Sequence, residues 1–230
     1  MLFDLRGRGR RRTVQVIYLS LAILMGGGLV LFGIGSDQSG GLVDAFTDDA
    51  QSGGSAAESV NKRIDAQLAK VRVNPKDADA WAQLAILRFQ RAGIDGVAQD
   101  GSYTEDGKRR LTLATQAWER HLALAPKEPN LRAANLMVQA YQATEQLPKA
   151  VRAKQLVTAA EDPPSSNLYQ QLAALAYQAR DNRVGDLAAT RAVDLAPAED
   201  RKELREALEA YKTQVAAQGQ QGATTTPSGQ

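Results

Sequence analysis

The sequence predicts an all-α chain, with an N-terminal single transmembrane helix followed by an α-solenoid of about three helical hairpins and flanking helices. Three observations predict it. A seven-residue pattern occurs as Leu84-Ala85-x-x-x-Phe89-Gln90, Leu136-Met137-x-x-x-Tyr141-Gln142 and Leu172-Ala173-x-x-x-Tyr177-Gln178. The second and third copies lie 36 residues apart and the first and second 52 apart. That is one helical-hairpin period, and one such period plus an insertion of about 17 residues. Residues 13–35 run for 23 residues without a formal charge. No convincing strand is visible between them and the C-terminus.

The N-terminal end is the charged part. Arg6, Arg8, Arg10, Arg11 and Arg12 stand against Asp4 alone, which leaves 23 basic and 25 acidic residues elsewhere. The remainder is near neutral, so a pI of 8.9 does not imply nucleic-acid binding. Residues 1–12 read as a basic cytoplasmic N-terminus. The stretch 13–35, TVQVIYLSLAILMGGGLVLFGIG, is long enough as a helix to cross a hydrocarbon core of about 30 Å. The next charges, Asp37, Asp44, Asp48 and Asp49, are negative. Basic residues stay inside, so the expected topology is single-pass in a cytoplasmic (inner) membrane, with the C-terminal domain extracytoplasmic. A cleaved signal peptide is the alternative, with Gly33-Ile34-Gly35 as a weak small-x-small site. Residues 36–57 are rich in Gly, Ser and Asp and read as a flexible tether with a reach of about 25 Å.

Helical spacing begins near Glu58, with Val60, Ile64, Leu68, Val71 and Val73 running to Asn74-Pro75. A second helix over about 77–92 carries Ala78, Trp81, Leu84, Ala85, Leu87 and Phe89. A third over about 105–125 carries Leu111, Ala114, Trp118, Leu122 and Leu124. Further helices are expected near 130–143, 147–161, 166–180, 183–196 and 199–216, with Pro148 in a first turn where its missing N–H costs little. The insertion, about 93–107, separates the second and third helices, and Ser102 with Glu105 fits a capping box. Its Asp95, Asp100, Glu105 and Asp106 do not follow the spacing of a calcium loop. Residues 217–230 are uncharged, weakly hydrophobic and read as a disordered tail.

The residues of 58–216 resemble the tetratricopeptide repeat. Its signature is an aromatic, a Leu and a small residue in helix A, then small residues in helix B and a Pro beyond its end. The third copy has Tyr169, Leu172 and Ala173, then Gly185, Ala189, Ala192 and Pro197. The first has Trp81, Leu84 and Ala85, then Ala114, Trp118, His121 and Pro126. The second is degenerate, with Ala133, Leu136 and Met137, then Ala150 and Pro163. The resemblance implies that helix 58–73 is the second half of a repeat and helix 199–216 a solvating cap. It also implies a ligand groove lined by helix A. Aligned positions give three rows: Gln83, Asn135 and Gln171; Phe89, Tyr141 and Tyr177; Gln90, Gln142 and Gln178. The amides can pair with the backbone of an extended peptide, and the aromatics can act as apolar anchors. Equally, the amides fit a solvated helix face and the aromatics a core. The family's clamps for terminal carboxylates use Lys and Arg in these rows, and this chain has none there, which argues against a C-terminal carboxylate as target.

Chemistry for catalysis is sparse. Cysteine is absent and His121 is the only histidine, so neither a metal-ligand cluster nor a nucleophilic triad can be assembled around them. The acidic pairs Asp48-Asp49 and Glu161-Asp162 fall in tether and turn settings. No cofactor or metal is implied, and an enzyme is not expected. The expected function is a membrane-tethered protein–protein interaction scaffold or chaperone-like adaptor outside the cytoplasmic membrane, binding a protein or an extended peptide. A fixed structural subunit of a membrane or envelope assembly complex is the alternative, and a secreted soluble scaffold after signal cleavage a third.

Overall fold

The structure, a computed structural model, describes residues 56–223, with side chains to residue 218. The expected anchor at 13–35, all but the last two residues of the tether, and the end of the tail lie outside the described residues. Among the described residues no helix is long and apolar enough to cross a membrane.

The described chain is all-α. Its eight helices are α1 (Ala56–Val73), α2 (Ala78–Asp95), α3 (Glu105–Ala123), α4 (Leu131–Ala143), α5 (Leu147–Ala159), α6 (Ser166–Gln178), α7 (Asn182–Leu195) and α8 (Arg201–Ala223). An isolated antiparallel bridge, Val97 with Tyr103, is the one β feature among these residues. The start of α1 takes in the last two residues of the expected tether. The end of α8 lies seven residues past the expected boundary at 216, so the stretch to Ala223 is helical rather than tail. Alanine and glutamine dominate that extension, and both are compatible with helix without any burial.

The chain divides into two compact units, one of them Ser52–Leu195. Within it each helix from α1 to α7 packs on the next, and α2 also touches α4. Contact between the first helices of successive hairpins is what stacking requires. The core alternates bulk and small residues, as close packing demands. Leu84, Leu111, Trp118 and Met137 are fully enclosed, and so are Ala82, Ala85, Ala114, Ala133, Ala150, Ala173 and Ala192. Two residues assigned to apolar rows face out instead. Val73 ends its helix at 88% exposure, and Leu122 is exposed because the Leu111–Ala114–Trp118 stripe continues inward through His121. In the other unit, α8 is entered through a turn in which Arg201 Nε donates to the Ala196 carbonyl at 3.0 Å.

Helix starts are set by side-chain caps that satisfy otherwise orphaned N–H groups. Asp77 accepts from Ala80 N at 2.8 Å, Asn130 from Ala133 N at 2.9 Å and Asp181 from Val184 N at 3.0 Å. Helix α5 lacks a side-chain cap and has proline in its first turn, as its sequence indicates. The turns from α4 to α5 and from α6 to α7 share one design. Glu145 and Arg180 adopt positive φ of 59° and 60°, while Gln146 N bonds Tyr141 O and Asp181 N bonds Ala176 O. This is the six-to-one closure that normally employs glycine.

The α2–α3 connection is built differently. Gly96 and Gly107 cross so closely that a Cβ on Gly107 would lie 2.1 Å from the Gly96 carbonyl oxygen. The backbones can touch there only because both residues are glycine. The expected capping box at Ser102 and Glu105 does not form. Thr104 caps α3, accepting from Gly107 N at 3.0 Å and donating to Gly96 O at 3.2 Å. Ser102 instead donates to Asp100 from both its N and its Oγ, because the glycine crossing places Thr104, not Ser102, at the helix start.

Candidate functional site

The three rows of helix-A residues divide by burial. Phe89, Tyr141 and Tyr177 are 3%, 2% and 2% exposed, so none is an open anchor for a ligand. Tyr177 packs against α7 of its own hairpin, where a bulky side chain must face a small residue. At Gly185 a Cβ would come within 2.4 Å of the Tyr177 ring. Both tyrosine hydroxyls have acceptors: Tyr141 donates to Glu119 at 3.2 Å and Tyr177 to Asp186 at 3.0 Å. Burial, with the Glu119 carboxylate adjacent, pushes the Tyr141 phenol well above its ordinary range. Lys149 joins that cluster, at 2.6 Å from Glu119 and above the Tyr141 ring.

The amide rows are uneven. Gln83, Asn135, Gln142 and Gln178 are exposed, whereas Gln90 is buried. The ladder is therefore not a uniform threefold feature: its first rung in the last row belongs to the interior. Gln171 is half-buried and engaged, accepting from Lys154 Nζ at 2.6 Å and donating to Asn167 Oδ1 at 2.7 Å. A lysine thus does reach the amide rows, from α5 instead of from a helix A, which the row positions alone cannot reveal.

Lys154 and Thr158 are functional candidates that sequence reasoning missed. Both are buried on α5, one turn apart on one face. Burial lowers the Lys154 amine to about 8, and the charge of Glu161 opposes that shift. The signal was present: Val151, Lys154 and Thr158 follow the i, i+3, i+7 spacing of an inward stripe, with two polar residues where apolar ones belong.

His121 is fully enclosed and stacks on Trp118, with ring centroids 5.0 Å apart. Its Nδ1 lies 2.8 Å from the Ala78 carbonyl and its Nε2 accepts from Asn130 N at 3.2 Å. Since a carbonyl only accepts, Nδ1 carries the proton. The ring ties α3 to the start of α2 and to the cap of α4, so its role is to position helices.

The carboxylates of the insertion each have local partners. Asp95 pairs with Arg91 and lies 3.6 Å from Arg110; Asp106 bonds Arg109 and Arg110; Glu105 bonds Lys108; Asp100 accepts from Ser102. These bonds hold Asp95, Asp100 and Asp106 below the usual carboxylate range. Among the described residues no group of three or more histidines, cysteines and carboxylates is arranged to hold a metal ion.

No family model, curated protein or solved structure matches this chain. What it is suited to do follows from its own residues.

Proposed function

We propose that the protein is a membrane-tethered protein-interaction scaffold, an α-solenoid of tetratricopeptide-like hairpins held outside the cytoplasmic membrane by residues 13–35. The observation that carries the proposal is the set of exposed amides on successive first helices: Gln83 on α2, Asn135 and Gln142 on α4, and Gln178 on α6. Hairpin packing does not require amides at these positions. An amide carries both donor and acceptor atoms, which suits the backbone of an extended chain better than it suits a small ligand. With the aromatics buried, recognition is polar.

Crosslinking in native membranes, followed by partner identification, tests this. Several proteins captured at substoichiometric levels are expected of a scaffold with exchanging clients. One protein copurifying at fixed stoichiometry would favour a permanent subunit, and no protein captured above the level of an unrelated anchored domain would overturn the proposal. The mass of the mature chain separates a retained anchor from a cleaved signal.

A further inference from the structure

Lys154 lies between α5 and α6 with 6% of its surface exposed, and Thr158 has 2%. An ammonium has three N–H donors, and one of them has an acceptor here, the Gln171 amide oxygen at 2.6 Å. Thr158 Oγ1 is the one buried side-chain polar atom among the described residues with no hydrogen-bond partner. Threonine in a helix ordinarily returns its hydroxyl to the carbonyl four residues back. Thr112, Thr144, Thr190 and Thr213 all do so in this protein; Thr158 does not.

Lys154 on α5 reaches Gln171 on α6, and Thr158 lies one turn further along α5 on the same buried face. Gln171 donates to Asn167, which is exposed, so the cluster reaches the surface at that end. The cluster therefore combines one buried cation, two donors beyond the Gln171 bond and one unpartnered hydroxyl, with its amide acceptors already engaged. Buried charges are stable when paired, and a buried polar atom without a partner costs about 1–3 kcal/mol. Glu161 is the charged group whose field acts on Lys154, and it is an exposed residue past the end of α5.

We propose that Lys154 and Thr158 form a binding site for a carboxylate, whose two oxygens accept from Nζ and from Oγ1. A monoanion with two acceptors matches one cation and one hydroxyl; a phosphate would leave most of its oxygens without donors. The site shares Gln171 with the amide rows but stands independently of the scaffold function, because it needs only α5 and α6.

The test uses the full-length chain labelled with 13C at lysine Cε, the Lys154 signal being the one lost in Lys154→Gln. It is titrated with sodium acetate at constant ionic strength in sodium chloride. The Lys154 signal is expected to move saturably with acetate and not with chloride. Its titration midpoint is expected to rise, since a bound carboxylate favours the charged amine. Thr158→Val should weaken acetate binding by about tenfold, the share of a hydrogen bond to a charged group. A thermal melt establishes that this variant folds. Three Gly/Ser decapeptides identify the source of the carboxylate: one with a free C-terminus, one amidated, and one amidated with a central Glu. Tighter binding of the first or third than of acetate assigns a terminal or a side-chain carboxylate, and acetate alone assigns a small free acid. No saturable movement with any probe, or unchanged binding in Thr158→Val, overturns the proposal. A Lys154 midpoint that drops in Glu161→Gln, with acetate inert, gives the site to the chain's own Glu161 and also overturns it. Failure of the membrane crosslinking leaves these titrations unaffected, so the two proposals fail separately.

Discussion

The junction of α3 with α4 and the junction of α5 with α6 occupy equivalent places between hairpins, and each buries one basic side chain. His121 fills the first with both ring nitrogens hydrogen-bonded to backbone. Lys154 fills the second with one bond to an amide, beside a hydroxyl that has no partner. The first junction is satisfied by the protein alone and reads as a staple. The second is chemically incomplete, and it is there that we propose a carboxylate binds.

The largest expected effect is at the staple. His121→Ala removes an enclosed ring and leaves the Ala78 carbonyl and the Asn130 N–H without partners, so stability should fall by about 3–5 kcal/mol in urea unfolding. A loss under about 1 kcal/mol would erase the contrast between the junctions. At the second junction the sign reverses. Lys154→Met keeps the side-chain volume and removes a poorly compensated charge, and should raise the stability at pH 7 by about 1–3 kcal/mol.

The pH dependence follows from the same residue. Burial lowers its amine to about 8 in the folded chain, against 10.5 for an ordinary lysine. Between those values the unfolded chain holds the extra proton, so stability rises as pH climbs from about 8 to 10.5, and the cost of the buried charge is fully present below that window. Urea midpoints measured across it should rise in the wild type and lose this increment in Lys154→Met.

Smaller again is Thr158→Val, which removes the unpartnered hydroxyl and should stabilise by about 1 kcal/mol, read as a shift in thermal midpoint. The smallest effects belong to the turns. Glu145→Gly and Arg180→Gly relieve left-handed strain and should each stabilise by about 0.5–1 kcal/mol, in equal measure. Unequal gains would locate the asymmetry inside the hairpins rather than at their junctions.

Much of the helical order was legible because it depends on local patterns. Pro148 and the small-residue positions Ala85 and Ala173 act where their spacing indicates. The α2–α3 connection was not legible in the same way: the cap moved from Ser102 to Thr104 because Gly96 and Gly107 cross, a tertiary contact with no periodicity. For the site, spacing identified which helix-A positions recur but could not separate packing from exposure. Phe89, Tyr141, Tyr177 and Gln90 are buried, while Gln83, Asn135, Gln142 and Gln178 are exposed. Lys154 and Thr158 lie on the inward stripe that begins at Val151, but the Gln171 partner on α6 is a tertiary contact that spacing along α5 does not show.

The most direct test of the scaffold proposal is site-specific photocrosslinking of the full-length chain in native membranes. A photoreactive residue placed in turn at Gln83, Asn135 and Gln142 is compared with the exposed positions Gln116, Arg152 and Arg183 on the alternate helices α3, α5 and α7. A scaffold that binds through its first helices gives the same protein adducts from Gln83, Asn135 and Gln142 and few or none from the other three. Equal labelling from both sets, or none from either, contradicts it.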